Sequence, residues 1–219
     1  MRLAPPSPRD PASRFGRANS APSYRYCLPT GEPVPSVTEI LRDVGLSDAF
    51  ANIPKEVLEN KGRIGTTVHS VIADTLASGY RHRIFPNERV ANYFRSWSEW
   101  FFTEDAFDVI ACEVSTIPDA TYAGTFDCLA RRRFDGRWIL YDWKTRAPKW
   151  YDGFQLAAYL YLAAVNPAVP YGPADLARTE RRIVSLNERR PGRSKLYADP
   201  SDFEVWLSAV RVWHARKAA

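Results

Sequence analysis

Hydrophobic and polar residues alternate through residues 122–145, and this period-two pattern predicts two β-strands joined as a hairpin. The same alternation predicts further strands at 108–116, 181–186 and 195–197. Apolar residues at helical spacing predict helices at 36–41, 65–76, 87–102, 151–165 and 201–213. This order of elements predicts an α/β fold in which a small central mixed sheet is flanked by helices.

An Asp-Gly dipeptide at 135–136 lies between the two strands of the hairpin and is typical of a two-residue turn. With this turn, Asp127 lies opposite Lys144, and Asp142 lies opposite Leu129. The three charged side chains then share one face of the sheet, with neighbouring side chains about 5–8 Å apart. A bulge would turn one strand over, so the shared face depends on an unbroken register.

Asp142 and Lys144 have two interpretations. A lone Asp-x-Lys on a hairpin is most simply a pair of polar residues on the solvent-facing side. These two residues, however, are surrounded by large side chains, which predicts a strand that is covered on both faces. The large neighbours are Trp138, Ile139, Leu140, Tyr141 and Trp143. Because unpaired charges are costly in such a strand, the pattern favours a functional site in which acids hold a metal ion beside an ammonium group.

Two further polar residues could join this group. His69 shares one face of its predicted helix with apolar residues, and a histidine in that position is more often a satisfied core residue than a metal ligand. Glu113 is predicted on one strand face with Val109, Ala111 and Ser115. It could be a third acidic ligand, a group that orients a ligand, or an exposed strand residue.

Two helices carry side chains that could contact a substrate. Gln155 and Tyr159 are four residues apart and therefore face the same way, although an amphipathic helix with a polar stripe explains them equally well. The helix at 87–102 has an aromatic stripe that is most simply core, with base stacking as the alternative. The stripe consists of Val90, Phe94, Trp97 and Phe101.

Capping boxes at 36–39 and 201–204 predict where the first and last helices begin. In both, a serine is followed three residues later by a glutamate. The last helix is predicted to bury one side, formed by Phe203, Trp206, Leu207, Val210 and Trp213.

These motifs together resemble the PD-(D/E)xK nucleases, in the RecB-like and Cas4-like exonuclease branch, with particular likeness to the mitochondrial genome maintenance exonuclease type. The resemblance covers residues 35–166 and depends on the order and spacing of the motifs. They are Pro-Ser-Val-Thr-Glu-Ile-Leu (35–41), Gly-Thr-Thr-Val-His (65–69), Glu113, Ala-Gly-Thr-Phe-Asp (123–127), Asp-Trp-Lys-Thr (142–145) and Gln-Leu-Ala-Ala-Tyr (155–159).

The resemblance implies a restriction-endonuclease-like core and a site that uses one or two Mg²⁺ or Mn²⁺ ions. The implied metal-holding groups are Asp127, Asp142, Glu113, His69 and the backbone carbonyl of Trp143. The implied catalytic residues are Asp127, Asp142, Lys144, His69, Gln155 and Tyr159, the last two beside the DNA backbone. Since imidazole suits manganese better than magnesium, a histidine in this set favours Mn²⁺. An exonuclease on single-stranded DNA or DNA ends, in phage or bacterial recombination or repair, is implied.

The basic residues of the chain are clustered, and its formal charge is +5. One cluster surrounds the predicted turn, another follows the lysine motif, and a third lies within and after the strand at 181–186. Their members are Arg131, Arg132, Arg133, Arg137, Arg146, Lys149, Arg181, Arg182, Arg189, Arg190, Arg193 and Lys195. Clusters on both sides of a metal site fit a polyanion such as DNA. A membrane partner is not expected, because the sequence has no apolar span and no basic amphipathic helix.

The chain has 3 cysteines, widely spaced and without a Cys-x-x-Cys motif. They suggest neither a disulfide framework nor a zinc site. They are also too few for the four thiolates of an iron–sulfur cluster, so we expect no such cluster. Cysteine usage of this kind is typical of the reducing cytoplasm.

At 219 residues, the chain is long enough for one domain with a substantial core. Residues 1–22 are rich in proline, arginine and serine and predict a disordered basic arm, followed by a single nuclease domain at 23–219.

The sequence lacks the Walker A motif, so a helicase or recombinase partner would be a separate chain. The rival interpretation is a catalytically silent nucleic-acid-binding accessory on the same scaffold, which would not need the full residue set.

Overall fold

The computed structural model of the chain describes residues 26–47, 54–78, 84–103, 107–118 and 121–218. The helices in these ranges are α1 (Val37–Asp43), α2 (Lys55–Ser78), α3 (Glu88–Thr103), α4 (Asp152–Val165) and α5 (Ser201–Ala218), with a 3-10 helix at Pro173–Arg178. The strands are β1 (Tyr26–Cys27), β2 (Pro33–Val34), β3 (Phe107–Thr116), β4 (Gly124–Arg132), β5 (Trp138–Lys144), β6 (Glu180–Ser185) and β7 (Arg193–Tyr197). The predicted arm at 1–22 lies outside the described residues.

Strands β3 to β7 form one five-stranded sheet and lie in it in chain order. β5 and β6 run parallel, and every other pair of neighbours is antiparallel. A parallel pair needs a crossover connection, and here the segment that contains α4 provides it. The predicted α/β fold with a small mixed sheet flanked by helices is therefore confirmed.

Apolar side chains cover both faces of the sheet, which explains the long hydrophobic runs in its central strands. On one face, Leu140 of β5 packs in a cluster with α1, α4 and α5. On the other face, Tyr141 and Trp143 of β5 pack with α2 and α3. Asp142, between these two aromatics, is only 2% exposed. The strand that carries Asp142 is thus covered on both faces, as its sequence predicts.

The turn between β4 and β5 is longer than the sequence indicates. The amide of Arg132 donates to the carbonyl of Arg137 at 2.8 Å, which leaves a four-residue loop between them. A two-residue Asp-Gly turn requires a positive φ at both residues. Gly136 has a φ of 69°, but the φ of Asp135 is not positive. The Asp135 carboxylate instead accepts the Arg137 amide at 3.1 Å. The predicted two-residue turn is therefore wrong.

The longer turn changes the register of the hairpin. Leu129 lies opposite Leu140, so its predicted pairing with Asp142 is wrong by two positions. Because strand side chains alternate, a shift of two residues moves no side chain to the other face. The ladder between β4 and β5 ends at the pair Cys128 and Tyr141, and the acids lie just beyond it.

Strand β3 contains a bulge between Val109 and Ala111, where its register with β4 shifts. These two residues consequently pack on opposite sides of the sheet: Val109 on the side of α2 and α3, and Ala111 on the side of α4. The prediction that Val109, Ala111, Glu113 and Ser115 share one face is wrong for this reason.

The two predicted capping boxes have different outcomes. At α1 the box is confirmed, because the Glu39 amide donates to Ser36 Oγ at 3.1 Å and the Ser36 amide donates to Glu39 Oε2 at 3.4 Å. At α5, the amide and hydroxyl of Ser201 both donate to Asp199 Oδ1, at 2.9 and 2.7 Å. Asp199 therefore provides the acceptor at the start of α5, and the predicted box at 201–204 is wrong.

The helices on the α2 and α3 side are core elements. In α3, Trp97 and Phe101 are buried, and the rings of Trp97 and Trp143 lie 6.3 Å apart, so the aromatic stripe is core as its simplest interpretation predicts. Helix α2 begins at Lys55, ten residues before the predicted start at 65.

In α5, on the other face of the sheet, the sequence predicts that Leu207 is buried. This prediction is wrong, because the residue is 49% exposed.

Helix α4 is buried around nearly its whole circumference. Leu156, Ala157, Ala158, Leu160, Leu162 and Ala163 are all inaccessible to solvent. The prediction of an amphipathic helix is wrong here, because α4 lies between the sheet and other helices and not at the surface. At 14 residues α4 is also shorter than a bilayer crossing requires. Within the described ranges, no other helix has both the length and the apolarity for such a crossing.

Candidate functional site

Side chains from three elements converge at one point. They are His69 of α2, Glu113 of β3 and Asp127 of β4, and one potential ligand atom from each lies within 4.8 Å of the others. His69 Nδ1 lies 3.1 Å from Asp127 Oδ1 and 3.7 Å from Glu113 Oε1. The tertiary structure thus makes one group of three residues that are far apart in sequence. We call these residues the acidic cluster.

Irregular backbone positions the two acids of the cluster. Glu113 has a φ of 50°, a left-handed conformation that is uncommon for a residue other than glycine. Asp127 lies where the β4–β5 ladder has ended, and its Oδ2 accepts the backbone amide of Trp143 at 2.6 Å. In a regular ladder that amide would donate to a carbonyl of the neighbouring strand. Asp127 is therefore fixed in the gap between β4 and β5.

Asp142 and Lys144 form an ion pair beside the cluster. They are two residues apart on β5 and share a face, and Asp142 Oδ2 lies 2.6 Å from Lys144 Nζ. Lys144 is therefore the cationic partner of the buried Oδ2 of Asp142. Trp143, between the two, points to the other face, where its ring lies 5.6 Å from that of Trp100. This packing fixes the direction of both charged neighbours.

His69 and Asp127 stabilise each other's charged forms. Burial alone lowers the pKa of His69, but the carboxylate of Asp127, helped by Glu113 and Asp142, raises it to about 9. Burial alone raises the pKa of Asp127, but His69, Lys144 and the amide of Trp143 bring it below its ordinary value of 3.8. At neutral pH the cluster therefore contains an imidazolium between carboxylates.

Asp142 ionises less readily than Asp127. Burial raises its pKa to about 6, an effect that Lys144 opposes and Asp127 reinforces. Burial lowers the pKa of Lys144, but Asp142 and Asp127 more than offset this, so Lys144 stays protonated. With Glu113, three carboxylates face two cationic side chains, and this excess of negative charge makes the site attractive to a further cation.

Gln155 and Tyr159 of α4 lie on one face, as their spacing predicts, and bond to each other. Gln155 Nε2 donates to the Tyr159 hydroxyl at 2.8 Å. Burial and the charge of Asp142 raise the pKa of Tyr159 well above 10, so the phenol keeps its proton. A Cβ atom at Gly124 would lie 2.9 Å from the Tyr159 ring, so only glycine lets β4 approach α4 this closely.

The basic clusters are placed differently from the prediction. Arg132 lies at the turn end of the hairpin and is paired with Asp135 at 2.8 Å and Glu180 at 3.0 Å. Asp142 follows Arg137, at the end of this turn, by five residues along an extended strand, a distance of about 16 Å. Arg181, 4% exposed, is bonded to Asp202 at 2.9 Å inside the fold. The turn arginines and Arg181 therefore do not flank the acidic cluster, and that part of the prediction is wrong.

Asp152 is a structurally important acid that the sequence reasoning missed. It is fully buried at the start of α4 and accepts hydrogen bonds from Arg146 Nη1 at 3.0 Å and from the Lys149 amide at 2.7 Å. Its charge is also one of those that raise the pKa of Lys144. Its position three residues before Gln155, on the same helix, was the available signal.

The acidic cluster fits a divalent metal ion by the chemistry of its donors. Carboxylate oxygens suit Mg²⁺ and Mn²⁺, and the His69 imidazole adds a preference for Mn²⁺. Burial raises the pKa of Asp142 to about 6 even with Lys144 beside it, so a further cation would stabilise its charged form. His69, Glu113 and Asp127 could hold such an ion, with Asp142 beside them.

Comparison with known proteins agrees with this chemistry. The profile of the PD-(D/E)XK nuclease superfamily matches residues 68–212, which is more than half of the chain and includes the whole five-stranded sheet. No curated protein matches the chain. The matched span contains the acidic cluster, the Asp142–Lys144 pair and helix α4. The resemblance is therefore confirmed at the level of the superfamily, with its restriction-endonuclease-like fold, and the chain belongs to the PD-(D/E)XK nucleases.

Proposed function

We propose that this protein hydrolyses the phosphodiester bonds of DNA with the help of a divalent metal ion, as an exonuclease on single-stranded DNA or DNA ends. The observation that carries the proposal is the convergence of His69, Glu113 and Asp127 within 4.8 Å, beside the Asp142–Lys144 pair. Membership of a nuclease superfamily supports the same reaction class.

Four side chains and one backbone group would hold the metal. They are His69, Glu113, Asp127, Asp142 and the carbonyl of Trp143. A bound Mg²⁺ or Mn²⁺ ion would lower the pKa of the attacking water and stabilise the charge that develops on the phosphate. Asp127 is held ready for this task, because the Trp143 amide fixes one of its oxygens and His69 contacts the other.

Lys144 would act directly on the reacting groups. Its ammonium stays charged because Asp142 and Asp127 raise its pKa against the effect of burial. Its side chain is 16% exposed, so it can contact both the buried acids and a substrate. In this position it would orient the attacking water or offset the negative charge that forms as the bond breaks.

Gln155 and Tyr159 would position the scissile phosphate. Because Tyr159 accepts from Gln155 and keeps its own proton, its hydroxyl can donate to a phosphate oxygen. The close packing of Gly124 on the tyrosine ring fixes the direction of this donor. A donor that is fixed before the substrate arrives loses little freedom on binding.

The rival function is nucleic-acid binding without cleavage. Three carboxylates at a binding site repel phosphate, so a module that only binds DNA would lose affinity by having them. The raised pKa of Asp142 shows that this charge is held at a cost. The charge arrangement therefore favours an enzyme over a silent accessory.

The preference for DNA ends and the biological setting come from the likeness of the motifs to RecB-like exonucleases. On this basis we propose a role in phage or bacterial recombination or repair in the cytoplasm, alongside a separate helicase or recombinase. Mg²⁺ and Mn²⁺ are both proposed cofactors, and no iron–sulfur cluster is proposed.

Digestion of defined DNA substrates tests the proposal. End-labelled linear and closed circular DNA, single- and double-stranded, would be incubated with Mg²⁺, Mn²⁺ or EDTA. We expect linear single strands to be degraded with either metal, fastest with Mn²⁺, and no cleavage with EDTA. Covalently closed circles should stay intact.

Each alternative outcome has its own meaning. Cleavage of circles as fast as linear DNA would replace the exonuclease with an endonuclease. Cleavage in EDTA would remove the metal from the reaction. Binding of all substrates without any cleavage would favour the silent accessory.

A further inference from the structure

The loop between β5 and α4 is held rigidly by the buried carboxylate of Asp152. Arg146 and the amide of Lys149 both donate to Asp152 Oδ2, at 3.0 and 2.7 Å. The Arg146 carbonyl accepts the hydroxyl of Ser185 at 2.7 Å, and the Lys149 carbonyl accepts the hydroxyl of Tyr197. These bonds fix the loop at several points along its length, so a side chain carried by it has a defined position.

Trp150, at the end of this loop, presents its ring to solvent. The residue is 60% exposed, although tryptophan is usually well buried. Its ring lies 5.7 Å from that of Tyr151 and 5.5 Å from that of Phe154, with the planes at 83° and 82°. Such edge contacts hold an aromatic ring at a fixed tilt while most of it remains in water.

The loop connects Lys144 to helix α4. Trp150 follows Lys144 by six residues. Arg146, two residues after Lys144, donates to the Asp152 carboxylate at 3.0 Å. Asp152 begins α4, the helix that carries Gln155 and Tyr159. Trp150 therefore lies on the connection between the proposed catalytic lysine and the helix that would position the phosphate.

The neighbourhood of Trp150 is basic. Lys149 is exposed on the same loop, and Lys195 is exposed on β7. Lys195 Nζ lies 4.7 Å from the ring of Tyr197, the residue whose hydroxyl bonds to the Lys149 carbonyl. An aromatic ring beside cationic side chains is the combination that binds single-stranded nucleic acid, because bases stack on the ring and phosphates contact the cations.

We infer that Trp150, with Lys149 and Lys195, forms a single-strand-binding element in which an unpaired base stacks on the indole. This inference rests on the proposed nuclease function and deepens it, because it assigns the recognition of unpaired nucleotides to particular residues. Bases in a closed duplex are already stacked on one another, so they gain nothing from Trp150. A tryptophan in this position therefore selects for unpaired nucleotides.

Phe134 provides a matched control within the chain. The residue is 76% exposed, more than Trp150, and it lies at the turn end of the β4–β5 hairpin. The guanidinium of Arg132 lies 4.8 Å from its centroid. An exposed aromatic beside a cation is thus present at both places, but only Trp150 lies on the loop that follows Lys144. If exposure alone caused binding, both substitutions would weaken it.

The test measures binding separately from cleavage. In the full chain carrying Asp142→Asn, fluorescence anisotropy with a labelled oligothymidylate would compare Trp150→Ala, Trp150→Phe and Phe134→Ala. We expect Trp150→Ala to weaken binding by about fivefold to a hundredfold. Trp150→Phe should keep most of the affinity, and Phe134→Ala should leave it unchanged. Circular dichroism would establish that each variant is folded.

A second probe identifies the stacking contact itself. The protein with Trp150 intact should bind an oligonucleotide that lacks bases less tightly than oligothymidylate. Trp150→Ala should bind the two oligonucleotides equally. A duplex closed by loops of non-nucleotide linker should bind Trp150→Ala and its parent equally. Equal affinity of Trp150→Ala and its parent for oligothymidylate, or an equal loss on the closed duplex, would overturn the inference.

The binding result and the cleavage result are independent. Loss of single-strand affinity in Trp150→Ala without DNA cleavage by the native protein would retain the binding element and remove the nuclease. Cleavage by the native protein, together with unchanged single-strand binding by Trp150→Ala, would retain the nuclease and remove the binding element.

Discussion

The two ends of the β4–β5 hairpin are both rich in charge, but their charges are arranged in different ways. At the turn end, Arg132 is paired with Asp135 and Glu180 at the surface. At the other end, Asp127 and Asp142 are 5% and 2% exposed and face His69 and Lys144. We refer to these as the turn end and the acid end.

The difference separates charges that are paired at the surface from charges whose arrangement suits a metal site. At the turn end, the arginine side chains hold the pKa of Asp135 down to about 2, which is ordinary for an ion pair. At the acid end, burial and like charges raise the pKa of Asp142 to about 6. Strongly perturbed acids that remain close together are typical of catalytic and metal sites. Charge density alone would not separate the two ends.

The largest expected difference between the ends comes from replacing an aspartate at each. Asp142→Asn should lower the rate of DNA cleavage by at least about a thousandfold, because it removes the negative charge of a proposed metal ligand. Asp135→Asn makes the same chemical change at the turn end and should leave the rate unchanged. Single-turnover cleavage of a labelled oligonucleotide measures both. Comparable losses in the two variants would contradict a functional distinction between the ends.

The second prediction concerns the cationic partners. Lys144→Ala should slow cleavage by at least about a hundredfold, because we propose that the ammonium acts on the reacting groups. Arg137→Ala, at the turn end, should have no effect on the rate. Calorimetry should show that Lys144→Ala still binds Mn²⁺, because the proposed metal-binding side chains remain. Retained cleavage by purified Lys144→Ala would remove the lysine from the mechanism.

The third prediction follows from protonation at the acid end. The pKa of His69 is about 9, so its imidazole is protonated at pH 7.5. A metal ion that binds a ring nitrogen of His69 must displace the proton from that nitrogen. We expect release of about one proton per Mn²⁺ ion and weaker binding as pH falls. Below pH 6, protonation of Asp142 should weaken binding further.

Calorimetry in two buffers with different ionisation enthalpies measures this proton release. His69→Asn should release fewer protons, whereas Asp135→Asn should release as many as the native chain. The same heat of binding in both buffers would show that His69 does not exchange its proton for the metal.

The smallest expected effect is at the turn end. Arg132→Ala removes partly exposed ion pairs with Asp135 and Glu180, and such pairs contribute little to stability. The melting temperature should fall by no more than about 2–4 °C, and cleavage should be unchanged. A large loss of activity would show that the two ends communicate through the strands.

Much of the fold could be predicted because it depends on local patterns. The alternation in β4 and β5 and the stripe in α3 each follow from a repeat that the sequence shows directly. The hairpin register could not be fixed in this way, because Asp135-Gly136 suits more than one turn and the backbone chose the longer one. The burial of α4 on all sides could not be predicted either, because it depends on which elements cover the helix.

The same division applies to the site. Asp142 and Lys144 could be recognised because the large side chains around them predict a buried strand. The meeting of His69, Glu113 and Asp127 could not be derived from local pattern, because it requires three separate elements to converge. The β3 bulge and the positive φ of Glu113 are backbone irregularities that leave no clear trace in residue type.

By itself, the amino-acid sequence determined the types of secondary structure, the covered central strand and the chemical groups available for a metal site. These follow from periodicity and residue type, which act over a few residues. Only the tertiary structure decided which arginines are neutralised by neighbours, where the β4–β5 ladder ends, and that Asp152 fixes the loop that carries Trp150. Those features depend on contacts between residues far apart in the chain, where packing and electrostatics outweigh local preference.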